Sequence, residues 1–157
     1  MVDEDQIAAL LERLVAVPEQ IAKAVAGWDI GQLRALGPAD GWSAAEILAH
    51  LRASDDIFVP RFYAVLTRDN PPLLDFDERR WAEVASYSEA RFAPSLTAFR
   101  MRRLELVSTL RRAEPAEWLR IGTHETRGPL TLLELAESLL AHEEEHCAQL
   151  RAMPAPW

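Results

Sequence analysis

The sequence predicts an all-α protein, an up-down-type four-helix bundle, and three observations carry that expectation. Several long segments place apolar residues three and four apart, the period of a helix face. Two S/T-x-x-E capping boxes, Ser43 with Glu46 and Thr131 with Glu134, mark helix starts just before such segments. No stretch alternates apolar and polar residues over a strand's length between turn signals.

The first segment carries Ile7, Leu10, Leu11, Leu14 and Val15, then Pro18, then Ile21 and Val25 before Gly27. An interior proline removes one hydrogen bond and crowds the preceding turn, so this reads as one kinked helix or two abutting ones. A short piece from Asp29 to Leu36 leads to the turn GPADG. The second helix starts at Ser43, and Ile47, Leu51, Ser54, Phe58, Phe62 and Val65 trace one of its faces, with Pro60 a candidate kink. A loop from Thr67 to about Arg79 contains Asn70-Pro71-Pro72. The third helix begins near Ser88 or Ser95 and runs to Arg112, with Leu96, Phe99, Arg103, Leu106 and Leu110 inward and Val107 beside them. A polar loop with Gly122 and Gly128-Pro129 precedes the last helix, whose stripe reads Leu132, Leu135, Leu139, His142, His146, Gln149 and Met153.

Residues 1–157 are expected to form one domain, since 157 residues with 49% hydrophobic content suffice for a single core. No run approaches the roughly 20 apolar residues of a membrane span. The start, MVDEDQIAAL, lacks the basic and apolar regions of a signal peptide. The lone cysteine, Cys147, is expected to be a small buried hydrophobe, and a chain without a possible internal disulfide suits a reducing cytoplasm. The net charge of −8 argues against nucleic acid as a partner, because such binding rests on cationic residues that displace phosphate counterions. The arginines between Arg100 and Arg112 read as one side of a helix.

The four histidines carry most of the functional information. His142 and His146 are four apart, so their imidazoles stack on one helix face at chelating distance, in line with the leucine stripe. His50 sits beside the inward face of the second helix. Three imidazoles converging in a bundle suit a divalent transition metal, and three ligands with open positions are the pattern of a reactive ion. His124, in the loop IGTHETRG, reads as a surface histidine.

The string His142-Glu143-Glu144-Glu145-His146 matches H-E-x-x-H, the zinc metalloprotease motif. That chemistry needs a further ligand downstream, and the eleven residues after His146, CAQLRAMPAPW, hold no His, Asp or Glu. A protease is therefore not expected, and the third ligand should come from upstream. Glu143 is a candidate catalytic base, against the simpler reading of a solvated carboxylate on the helix face. Arg103 is a candidate for binding a cofactor or substrate carboxylate. The simpler reading is pairing with a carboxylate at the core edge, since an unpaired guanidinium on an inward stripe is costly. Trp42 is expected to anchor the second helix, and Trp28, Trp81 and Trp118 to fill core or interface.

Taken together, GWSAAEILAHL, FRMRRLELVSTL and WLRIGTHETRGPLTLLELAESLLAHEEEHCAQL resemble the DinB/YfiT-like superfamily of small bacterial metal-binding bundles. The most specific segment is H-x-x-x-H-x-x-Q following a Gly-x-x-Thr-Leu helix start. The resemblance implies a DinB/YfiT-like bundle whose metal ligands are His50, His142 and His146, with zinc or nickel foremost, and a homodimer. The family name records induction by DNA damage and implies no polymerase activity. Characterised branches use a low-molecular-weight thiol: transferases acting with mycothiol or bacillithiol, and maleylpyruvate isomerase. The resemblance thus implies a thiol-dependent transferase acting on a small molecule. Alternatives are a metal-dependent hydrolase and a non-catalytic metal- or ligand-binding stress protein.

Overall fold

A computed structural model describes residues 3–37 and 41–153. Of the GPADG turn, only Gly37 and Gly41 lie among the described residues. The elements run α1 (Glu4–Ala24), α2 (Ile30–Arg34), α3 (Ala44–Thr67), β1 (Pro72–Leu73), α4 (Glu78–Val84), α5 (Phe92–Leu110), β2 (Ile121–His124), β3 (Gly128–Thr131) and α6 (Leu132–Ala152). The long helices α1, α3, α5 and α6 form the bundle. Both expected capping boxes are present, at Ser43 with Glu46 and Thr131 with Glu134. Asp3 caps α1, accepting from the Asp5 and Gln6 backbone N–H groups.

Pro18 and Pro60 lie inside continuous helices, so α1 is one helix rather than two. Each proline leaves one carbonyl of its own helix without a partner, but burial of the surrounding turns keeps the helix intact. Leu10, Leu11, Leu14, Val17 and Ile21 of α1 meet Ile47, Leu48, Leu51, Phe62 and Val65 of α3 in one core. The α5 stripe is buried as expected, from Leu96 through Arg103 to Leu110.

α1 packs against α5 and α6, and α3 packs against the same two, so α1 and α3 lie on a diagonal. Helix directions follow from the side-chain ties. Gln6 reaches Glu137 and Arg13 reaches Glu144, which makes α1 and α6 parallel. Arg103 meets Asp55 and Tyr63 meets Thr109, which makes α3 and α5 parallel. Arg100 meets Glu19 while Leu110 lies beside Ile7, so α5 runs against α1. The bundle therefore runs up, down, down, up, where a plain up-down bundle would alternate. The segment between α3 and α5 makes this possible by carrying the chain back along the bundle, with α4 on the way.

The sequence gives no sign of strands, yet the structure has a three-stranded sheet in the order β1-β2-β3, with β1 and β2 parallel and β2 and β3 antiparallel. Its strands have only two to four residues, too short for alternation to register. It seals the end of the bundle where α3 and α5 finish and α6 begins. Gly122 permits the seal, because a Cβ there would come within 2.9 Å of Leu73 and 3.0 Å of Val65.

Candidate metal centre

α3 carries His50 in its second turn, and α6 carries His142 and His146 one turn apart. The two helices bring the three rings into a nearly equilateral triangle, with centroids 4.9, 4.9 and 4.8 Å apart. Their candidate ligand nitrogens all lie within 4.8 Å of one another, and Nε2 of His50 is 2.9 Å from Nε2 of His142. These are the residues expected from spacing.

The donor set suits a divalent transition ion. Burial, with the neighbouring imidazoles His142 and His146, pulls His50 down to about 3. Burial and then His146 pull His142 down to about 4. Both rings are thus neutral at neutral pH, the state in which imidazole ligates. Nδ1 of His146 lies 2.8 Å from Oε1 of Gln149; an N–H donated there leaves Nε2 as the ligating atom and fixes the ring's orientation. Gln149→Ala is therefore expected to weaken binding of a divalent transition ion about 10- to 100-fold, as measured by competition with a chromophoric chelator.

An aromatic wall stands over the triangle. The Trp42 ring is 5.1 Å from His50, and Tyr87 is 6.0 Å from Trp42 and 6.5 Å from His50. Beyond it opens a cavity of about 580 Å³ lined by His146, Trp42, Tyr87, Glu46, Glu78 and Arg79, among others. Trp42 does sit at the start of α3 as expected, and it also walls this cavity. Tyr87, from the 3-10 turn before α5, escaped the sequence analysis, because nothing in its local pattern ties it to α3.

The other two candidate site residues lie together, apart from the imidazoles' shared space. Arg103 from α5 donates from Nη2 to Oδ1 of Asp55 on α3, at 3.0 Å, and to Oε1 of Glu143 on α6. All three side chains are at most 1% exposed. Burial pushes Glu143 up to about 8 and Asp55 up to about 6, while Arg103 pulls both back. Arg103 Nε and Nη1, Asp55 Oδ2 and Glu143 Oε2 have no hydrogen-bond partner among the described residues. The reading of Glu143 as a solvated carboxylate is thus corrected, and the pairing of Arg103 with a core carboxylate is what the structure holds.

The physical reason lies in α6, which packs on both α1 and α3 and so buries two stripes. One passes through Ala136, Leu140, Glu143, Cys147 and Leu150; the half-buried histidines flank it. Cys147 is fully buried, and its thiol is pushed up to about 11 by that burial. His124 is also corrected: it lies in β2 at 5% exposure, with Nδ1 accepting from Thr126. Trp118 is core, Trp28 packs against it partly buried, and Trp81 is 37% exposed.

The family model described as the DinB superfamily matches residues 9–150. A provisionally named metal-dependent hydrolase from Geobacillus thermodenitrificans is 27% identical over 152 residues, 96% of this chain and 83% of the relative. One of the same description from Bacillus mycoides is 26% identical over 153 residues, 97% of this chain and 87% of the relative. Among solved structures, YfiT from Bacillus subtilis, provisionally assigned as a metal-dependent hydrolase with an unusual four-helix bundle topology, superposes with a TM-score of 0.88. The identity is 23%, with 96% of this chain and 86% of YfiT covered. A mycothiol-dependent maleylpyruvate isomerase gives 0.75 at 13% identity, covering 96% of this chain and 63% of the isomerase. At such identities the structural likeness establishes the fold. No described helix is long and apolar enough to cross a membrane. By the match across nearly all of its length, the chain belongs to the DinB superfamily.

Proposed function

We propose that the protein is a metal-dependent enzyme of the thiol-dependent transferase type, holding zinc or nickel on His50, His142 and His146. One observation carries the reading: three imidazoles gather, His146 among them lining an open cavity, and no further His, Cys, Asp or Glu joins them among the described residues. When bound, a divalent ion there supplies a Lewis acid with an open position, able to lower the pKa of a low-molecular-weight thiol that enters it. The chain's own residues do the rest. Gln149 orients His146, while Trp42 and Tyr87 give the cavity an apolar wall for the body of a small electrophile.

Three of the four carboxylates at or near the cavity, all but Glu78, are engaged elsewhere, which favours a thiol over water as nucleophile. Attack by water commonly draws on a protein base to take its proton. Glu143 is enclosed with Arg103 and Asp55. Glu46 is held by the backbone N–H and hydroxyl of Ser43, and Glu83 pairs with Arg80. A thiol, with its lower intrinsic pKa, needs only the ion's charge. The second reading is a metal-dependent hydrolase, supported by the names of the relatives at 27% and 26% identity.

The test is turnover of an electrophile by zinc- or nickel-loaded protein with and without a small thiol. Thiol-dependent consumption that disappears in His146→Ala is the expected result. Undiminished turnover in that variant overturns the proposal, and thiol-independent ester or amide cleavage by the loaded protein selects the second reading.

A further inference from the structure

A second groove lies on the outer side of α3, between its C-terminal half and the β1–α4 segment, with a volume of about 650 Å³. Arg61, which lines it, is eleven residues beyond His50 on the same helix, about 16 Å along the axis at the helical rise. The groove is thus separate from the imidazole triangle. Its walls are mostly apolar, with Pro60, Ala64, Pro72, Leu73, Phe76 and Trp81 prominent. The volume is that of a small-molecule site.

Arg61 is 8% exposed, yet it forms no ion pair among the described residues. Its Nη2 donates to the Leu74 carbonyl, its Nε is buried without a partner, and Cζ lies 5.4 Å from the Phe58 ring centroid and 5.9 Å from that of Phe76. Neither of the groove's two carboxylates forms an ion pair with Arg61, although Asp75, like Glu125 nearby, is close enough to attract it. Asp56 pairs with Arg102, while Asp75 accepts from the Phe76 N–H and the Thr126 hydroxyl, each at 2.9 Å. Arg68, at the rim, adds a second cation without an ion pair among the described residues. A guanidinium so far withdrawn from water is costly unless an anion meets it.

From this geometry we infer that the groove binds a small aromatic monocarboxylate, with its carboxylate on Arg61 and its ring between Pro60, Phe76 and Trp81. The single buried cation matches one negative charge. The apolar walls disfavour a strongly hydrated dianion and reward a flat hydrocarbon body. Trp81, half-exposed and edge-on to Phe76 at 6.2 Å, is placed to cover such a ring.

Benzoate is the probe, and benzamide, of the same shape but uncharged, is its control. Each is titrated into the zinc-loaded full chain while the Trp81 indole N–H is followed by NMR. Saturable benzoate binding is expected, with benzamide about tenfold weaker or more, the scale of a charge-assisted contact. Arg61→Met should weaken benzoate by a similar factor, and His146→Ala should leave it unchanged. Absence of saturable benzoate binding at millimolar concentration overturns the inference. So does benzamide binding as tightly as benzoate, a comparison that needs no variant to fold. Loss of the signal in His146→Ala with retention in Arg61→Met also overturns it, by locating the ligand on the metal.

Discussion

Replacing Arg103 with alanine is expected to destabilise the protein by about 3–5 kcal/mol, the scale for removing one partner of a buried ion pair. The guanidinium ties α3, α5 and α6 together through Asp55 and Glu143, all three side chains being at most 1% exposed. Its loss leaves two carboxyl groups facing each other without water. Urea unfolding at neutral pH measures the cost, and a loss below about 1 kcal/mol would contradict a structural role for the triad. A variant with Asp55→Leu, Arg103→Met and Glu143→Leu together is expected to lose far less, because no charge remains to be desolvated.

The triad also gives a pH signature. The folded Glu143 carboxyl keeps its proton up to about 8, whereas an unfolded one releases it near 4.5. Between those values the folded state binds more protons, so its contribution is complete at acid pH and is lost as pH rises through 8. Glu143→Gln, permanently neutral, should flatten this decline in unfolding free energy between about pH 4.5 and 8 relative to the unaltered protein.

The second large effect concerns the metal. His142→Ala and His50→Ala should each reduce zinc affinity beyond the 10- to 100-fold typical of an outer partner such as Gln149, abolishing stoichiometric uptake as read by elemental analysis. Full zinc occupancy in either variant would remove that residue from the ligand set. Metal-free protein carries the opposite pH slope to the Glu143 effect. His50 is depressed to about 3 and His142 to about 4, against 6.5 when unfolded. The unfolded chain therefore takes up protons first, and stability falls as pH drops below 6.5, by roughly 1–2 kcal/mol per imidazole at pH 5. The metal-free His50→Ala variant should lose less between pH 7 and pH 5 than the metal-free unaltered protein.

Much of this was legible in the sequence wherever the information is local. Capping at Ser43 and Thr131, the α5 stripe and the i, i+4 imidazoles all depend on residues within a turn or two of one another. What escaped depends on how helices meet. A one-dimensional stripe assigns each helix a single inner face, but α6 contacts both α1 and α3, so Glu143, about 100° around from His142, is buried as well. The parallel course of α3 and α5 cannot be read from either helix, since the crossover segment between them decides it. The sheet was hidden because its strands, of two to four residues, span at most two periods of alternation. His124 was misread with it, as a strand residue looks like a loop residue when the strand is that short.

The winding of the bundle has a consequence for the order of assembly. His50 and His142 are 92 positions apart, and Gln6 meets Glu137 across 131. Every contact that completes the triangle therefore waits for α6 to meet α3. An ion held by all three imidazoles would not template early folding; it would latch α6 onto α3 once they have come together. Closing so long a loop is slow in a chain of this size. Metal uptake by the full triangle during refolding is thus expected only after helical content has returned.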